Sequence, residues 1–337
     1  MSGASLPYHL RPHKAVDRRI FVDLLGRIER WQPLDDHVYV SMGAYPLEDH
    51  KLVHRVIGIT RLLAFDYEDA VVARQKFNRP VGSCQCVKFK SGELIDNLDQ
   101  ILADNGFDDA AGVVAWLDYT DPKKLGEQVR EFQSLLDKLS AGDVVRVTVN
   151  AHPRELIEQT SDRPIPTAEK RGQQFEALRT RIGEFLPSWA TADHMTAEGL
   201  PTVIAEAFAK AALAAFPVGS DNTFIPLSIV RYADGLQMLS VTGMVIARDH
   251  QEECLERLGL ETWPFASMDW SSVHHLVVPD LTLRERLFLE REIVSSTPAE
   301  IIDSLGFEDA SGLAVADFIG AYKNYYRFYP TLLAAEV

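Results

Sequence analysis

The residues able to do chemistry in this sequence fall at the ends of short apolar runs. Ser41-Met42-Gly43-Ala44-Tyr45 follows the run Val38–Val40. Asp66 is the first polar residue beyond Leu62-Leu63-Ala64-Phe65, one helix-length further on, with Tyr67 beside it. A glycine turn after one parallel strand lets the backbone approach a ligand, and an acid at the end of the next accepts hydrogen bonds from a ribose. Tyr67 is placed to stack beside a base. Lys90-Ser91-Gly92 closes a third run, and Ser91 is the polar candidate there. Asp118 ends the fourth run, Gly112–Leu117, and Asn150 and His152 follow the fifth, Asp143–Val149. Asp118 is expected to orient a substrate or act as a base, and a histidine at position 152 titrates near neutral pH as a general base does. Ordering of a loop, capping of a helix and surface exposure are the competing readings of these positions.

Positioning these residues requires a regular scaffold, and the periodicity supplies one. Val38–Val40, Arg61–Phe65, Val81–Phe89, Gly112–Leu117 and Asp143–Val149 read as strands, and helical stretches separate them at about Leu47–Val56, Glu68–Phe77, Leu94–Asn105 and Lys123–Leu139. Strands alternating with helices predict a doubly wound parallel sheet. The nearly all-apolar Gly112–Leu117 suits a central strand covered on both faces. In such a sheet, ligands sit outside the carboxyl ends of the strands. Val16–Trp31 is an amphipathic helix with Ile20, Phe21, Leu24, Leu25 and Ile28 on one face.

Beyond Pro153 the pattern changes. Residues 154–222 read as helical, polar at first and then alanine-rich. Phe224–Tyr232 and Leu236–Ile246 are two apolar strands joined by Ala233-Asp234-Gly235, and Asp-Gly between such runs is a strong hairpin signal. The fold class predicted is α/β: a Rossmann-like sheet of five parallel strands finished by an antiparallel hairpin. The division expected is an N-terminal arm and helix (1–35), a cofactor-binding core (36–153), a helical insertion acting as lid or substrate cap (154–222), the hairpin (223–250) and C-terminal helices (251–337). Thr297-Pro298-Ala299-Glu300 carries a capping pattern. The aromatic run Tyr322, Tyr325, Tyr326, Tyr329 reads first as packing and second as a surface for stacking on bases.

The totals exclude several classes. With 34 Lys and Arg against 49 Asp and Glu, the chain carries a net charge of −15, which argues against a general nucleic-acid binder. No apolar run is long enough to cross a bilayer, and the first residues lack the apolar core of a signal peptide. Cys84, Cys86 and Cys254 make no disulfide framework and no zinc spacing, so a reducing cytoplasm is the expected home. Asp118, Asp121, Asp143 and Asn150 offer hard oxygen donors of the kind magnesium takes, but their spacing specifies no metal. His50 and His54 share a helix face without the glutamate that a zincin needs.

Glu48 and Asp49 at a helix start suit a cationic amino-acid moiety better than a phosphate, which favours S-adenosylmethionine over a dinucleotide. On Tyr39-Val40-Ser41-Met42-Gly43, Phe65-Asp66-Tyr67-Glu68, Arg74-Gln75-Lys76-Phe77-Asn78-Arg79-Pro80 and Trp116-Leu117-Asp118-Tyr119, the chain resembles the class I S-adenosylmethionine-dependent methyltransferases, and more narrowly bacterial sequences labelled putative O-methyltransferases. The terminal hairpin is how that class completes its sheet. The resemblance covers about 38–150 and the 224–246 hairpin. It implies an S-adenosyl-L-methionine site at Ser41, Met42, Gly43, Asp66, Tyr67 and Ser91, with Asp118 and His152 near the reacting centre. It departs in the first motif, where only Gly43 stands for two or three glycines. The activity expected is O- or N-methylation of an acceptor. The alternative is a non-catalytic, partner-binding component of a multi-protein system that retains a vestigial or sensing nucleoside pocket, with a protein partner or a second copy meeting the C-terminal helices.

Overall fold

A computed structural model describes residues 12–158, 166–278, 281–306 and 315–329. Its core is one eight-stranded sheet in the order β3-β2-β1-β4-β5-β7-β6-β8. The parallel half is β1 (Val38–Ser41), β2 (Arg61–Asp66), β3 (Gln85–Lys88), β4 (Val113–Asp118) and β5 (Val144–Asn150). β6 (Asn222–Asp234) and β7 (Leu236–Ala247) form the predicted hairpin, with β7 inserted antiparallel between β5 and β6. The two-residue β8 (His274–His275), which sequence reading missed, pairs parallel to β6. The five parallel strands, β6 and the hairpin turn therefore all end at one edge.

Each face of the sheet carries its own helical layer. On one lie α1 (Pro12–Ile28), α2 (Glu48–Ile57) and α3 (Asp69–Asn78), with α9 (Gln251–Leu258), α10 (Leu283–Glu292), α11 (Pro298–Leu305) and α12 (Val315–Tyr325) packed around α1. On the other lie α4 (Ser91–Asp96), α5 (Leu98–Asp104), α6 (Leu125–Leu136), α7 (Thr167–Ile182) and α8 (Gly199–Ala215). The alternation of β5 shows how the sequence sorts the faces. Val145, Val147 and Val149 meet the α6–α8 layer, while Arg146, Thr148 and Asn150 face α1. Successive strand residues point to opposite faces.

The helical insertion packs on the sheet. α8 buries Val203, Ile204, Ala207, Phe208 and Ala211 in the same core as Val145 and Phe132. α7 crosses α6 so closely that a Cβ on Gly126 would lie 1.9 Å from the Arg181 carbonyl oxygen. These helices are thus a layer of the fold; small residues let them approach and bury apolar area that a mobile lid would leave exposed. Their connection reaches the ligand edge, where the Ala197 carbonyl accepts from Gln237 (2.8 Å) and Arg231 (3.3 Å), and α7 reaches it through Gln174, which donates to the Pro153 carbonyl (2.7 Å). The aromatic run also resolves as packing: the Tyr322 ring lies 5.5–6.1 Å from those of Tyr325, Tyr326 and Tyr329. Among the described residues no helix is long and apolar enough to cross a membrane.

Candidate active site

The turn leaving β1 is held by side chains in place of glycines. Gly43 (φ +64°), Ala44 (+44°) and Leu47 (+54°) all adopt left-handed backbone conformations, which L-residues resist and which persist only where the surroundings over-determine them. A Cβ on Gly43 would sit 2.7 Å from the His50 ring and 2.8 Å from Leu47, so this glycine answers to packing as well as to its backbone angle. From α3, Gln75 donates to the carbonyls of Met42 (2.8 Å) and Ala44 (3.2 Å), and Asn78 donates to that of Tyr45 (2.9 Å). The Arg74 guanidinium lies 3.4 Å from the centre of the Tyr45 ring. The stretch Arg74–Pro80 thus fixes the ligand turn from the neighbouring helix.

Asp49, in the first turn of α2, anchors the inner side of the same turn. Its Oδ2 accepts from the Ser41 hydroxyl (2.6 Å) and the Tyr39 hydroxyl (2.8 Å), and its Oδ1 faces His50 Nδ1 at 3.3 Å. His50 Nε2 in turn meets the Leu63 carbonyl at 3.2 Å. Burial pushes the Asp49 carboxyl up, but His50, Arg18 and the Ser41 hydroxyl outweigh it and hold it well below the ordinary carboxylate range. The Ser41 hydroxyl is therefore committed to Asp49, leaving the backbone of Ser41–Gly43 to face the edge.

Asp66 ends β2 half-buried. Its Oδ1 accepts from the Glu68 amide at 2.8 Å, and burial, followed by the Glu68 charge, raises its carboxyl although that amide bond opposes them. No side chain among the described residues bonds its second oxygen. Tyr67 beside it is 60% exposed, an open aromatic face at the ligand edge. Ser91 opens α4, and its hydroxyl is turned toward Tyr119, whose own hydroxyl donates to Glu131.

Asp118 ends β4 facing α1, where Lys14 Nζ donates to its Oδ2 at 2.5 Å; its Oδ1 is buried without a partner among the described residues. Lys14 is delivered there by the hairpin tip. Asp234 accepts from the amides of His13 (3.3 Å) and Lys14 (2.8 Å) and from His13 Nδ1 (3.0 Å). It caps the first turn of α1 from across the chain. His13 Nε2 accepts from the Val278 amide at 3.0 Å. Deeper under α1, Asp17 pairs with Arg146, which also donates to Thr242 (2.8 Å) and lies over Trp116.

His152 caps the helical turn Pro153–Leu156, its Nδ1 accepting from the Arg154 amide at 3.1 Å. Burial, then Arg154, lowers its ring below the ordinary histidine value. A neutral ring that accepts at Nδ1 carries its proton on Nε2, so the outward nitrogen is a donor. The four candidate oxygen donors do not converge. Asp143 lies at the opposite edge, accepting from the amides of Val113 (2.6 Å) and Ser140 (2.8 Å), and Asp121 caps its own turn through the Lys123 amide (3.0 Å). The described residues contain no group of three metal-ligating side chains. The cysteines are free and buried, as their spacing implied.

One edge of a Rossmann-like sheet with an inserted antiparallel strand thus gathers Ser41–Gly43, Asp66, Tyr67 and Asp118, and this architecture is that of a methyltransferase. The chain belongs to the family described as "Putative O-methyltransferase", whose model matches residues 6–337. No curated protein matches the chain.

Proposed function

We propose that the protein transfers the methyl group of S-adenosyl-L-methionine to an oxygen or nitrogen acceptor. One observation carries this reading: the turn after β1, Asp66 and the Asp118–Lys14 pair share the carboxyl edge of the parallel strands. The donor set also fits. Asp49 is an ionised carboxylate buried at the start of α2, where a dinucleotide pyrophosphate would meet like charge, whereas a sulfonium cation is tolerated. When bound, the donor supplies an electrophilic methyl group.

The chain's own part is positioning. The backbone of Ser41, Met42 and Gly43 lines the approach, and the uncommitted oxygen of Asp66 accepts from ribose hydroxyls. Tyr67 stacks on the base, with Ser91 flanking it through its backbone. Asp118, steadied by Lys14, holds the acceptor's proton at Oδ1. His152 meets an acceptor through Nε2–H, as a hydrogen-bond donor. Calorimetric titration with S-adenosylmethionine and S-adenosylhomocysteine, with Asp66→Ala alongside, tests the reading. Binding that is lost in the variant supports it; a folded protein that binds neither ligand refutes it.

A further inference from the structure

The face of the sheet beneath the first half of α1 is polar where a packed layer is ordinarily apolar. Register places Asp118, Thr148 and Ser240 side by side across β4, β5 and β7. The next row outward holds Asn150, Met238 and Tyr232. Below both rows lie Trp116, Arg146 and Thr242. Thr148 and Ser240 bond each other at 3.0 Å, Trp116 Nε1 donates to Thr148 at 3.0 Å, and Ser240 donates to Asp17 at 3.3 Å.

Not every polar atom in this layer is satisfied. Among the described residues, Asp17 Oδ1, Asp118 Oδ1, Arg146 Nε, Asn150 Nδ2 and the Tyr232 hydroxyl are buried with no hydrogen-bond partner. Buried polar atoms are ordinarily paired, and an exception calls for an unplaced water, an ion or a role. All five belong to this face of the sheet or to α1 above it, spread over its three rows. The charges of Asp17, Asp118, Arg146 and Asp234 all act on the Tyr232 hydroxyl, which is 1% exposed. The set mixes acceptors (the two carboxylate oxygens) with donors (Asn150, Arg146), and Tyr232 serves as either. A ligand that completes it must donate and accept through neighbouring atoms, as a hydroxyl group does.

We propose that this layer is the acceptor slot of the methyltransferase site, and that it takes a small neutral molecule bearing hydroxyl groups. The proposal rests on the methyl-transfer reading for its purpose. Within the slot, Asp118 Oδ1 accepts from the acceptor's hydroxyl while Tyr232 and Asn150 donate to its oxygen, and the Asp17–Arg146 pair forms the floor. Entry requires the first turn of α1 to lift. That turn is held by polar contacts to Asp118 and Asp234, which open for entry and re-form over the bound molecule, whereas Ile20, Phe21, Leu24 and Leu25 keep the second half of the helix seated in the core.

Saturation-transfer NMR on the full chain tests this with three probes: glycerol (neutral, hydroxylic), acetate (anionic) and methylammonium (cationic). Glycerol is expected to give a signal that falls about fivefold in Tyr232→Phe, which removes one hydroxyl, and in Asn150→Ala, which removes the amide nitrogen together with the Oδ1 that accepts from the His152 amide. Equal glycerol signals in wild type and variants, or no signal, would mean the slot holds only water and overturns the proposal. A variant-sensitive signal from acetate or methylammonium alone overturns the hydroxylic assignment. Titrating the same samples with S-adenosylhomocysteine reports separately on the donor half, so its failure points to the methyl-transfer reading and leaves the slot result intact.

Discussion

Replacing Asp49 by asparagine tests whether the turn after β1 is held by a charge network. The wild-type carboxylate accepts from Tyr39 and Ser41, faces His50 Nδ1 at 3.3 Å and is almost wholly buried. Asp49→Asn keeps the shape but loses the charge, and one of its two terminal atoms becomes a donor facing donors. Breaking a buried charged network by changing one member costs about 3 kcal/mol or more. Urea unfolding at pH 7 is therefore expected to show a loss of about 3 kcal/mol. The sign of the pH dependence follows from the direction of the shift. The folded carboxyl is held below its unfolded value, so its contribution is fully present above the unfolded pKa and is lost as pH falls toward the folded one. With an unfolded value near 3.9, the wild-type advantage shrinks by about 1.3 kcal/mol between pH 7 and pH 3. A gap below about 1 kcal/mol at pH 7, or one that does not narrow in acid, would refute the reasoning.

Three further perturbations probe other parts of the site. Gly43→Ala forces a Cβ against His50 and Leu47 at a left-handed position and is expected to destabilise by about 2 kcal/mol in the same unfolding assay, weakening S-adenosylhomocysteine binding as well; an unchanged midpoint would contradict the packing argument. Arg181 donates to the carbonyls of Pro122 (3.1 Å), Glu155 (3.3 Å) and Leu156 (2.6 Å), so Arg181→Ala should cost about 2 kcal/mol and speed proteolytic cleavage after β5, whereas an unaltered digest would show that these contacts do not order the loops. His152→Ala removes a cap and should lower stability by about 1 kcal/mol, measured by thermal unfolding, while leaving S-adenosylhomocysteine affinity unchanged; a lost affinity would place the ring against the donor instead.

The sheet was legible because alternation and punctuation are local signals. Apolar runs ended by Asp66 and Asp118 marked both strands and edge, and Asp234-Gly235 marked the hairpin. What escaped was everything set by distant contact. Asp234 read as a turn residue, yet its carboxylate caps a helix more than two hundred residues earlier. Asp49 read as a dipole-favouring helix start, and its role depends on Tyr39 and Ser41 reaching it from β1. The Asp17–Arg146 pair did leave a trace. Asp17 lies at helical spacing from Ile20, Phe21 and Leu24, on the apolar face of α1, and Arg146 interrupts a valine strand. A lone charge on each of two apolar faces anticipates a buried ion pair, since neither is tolerable alone. The packing of the insertion on the sheet was not legible, because a helical, alanine-rich segment looks the same whether it covers a site or packs on a sheet. Contact with α6 decides between them.

The cap that Asp234 places on α1 also bears on how the chain is made. Helix α1 is synthesised before the sheet it packs on, and its amino-terminal turn has no seat until β6 and β7 exist. At about 5–20 residues per second on the ribosome, that delay is on the order of 10–40 s. Throughout it, the stripe of Ile20, Phe21, Leu24 and Leu25 has only part of its eventual partner surface. On the nascent chain α1 is therefore an exposed apolar segment awaiting a late-arriving hairpin, the situation in which a holding chaperone or a slow emergence from the exit tunnel would most affect the yield of folded protein.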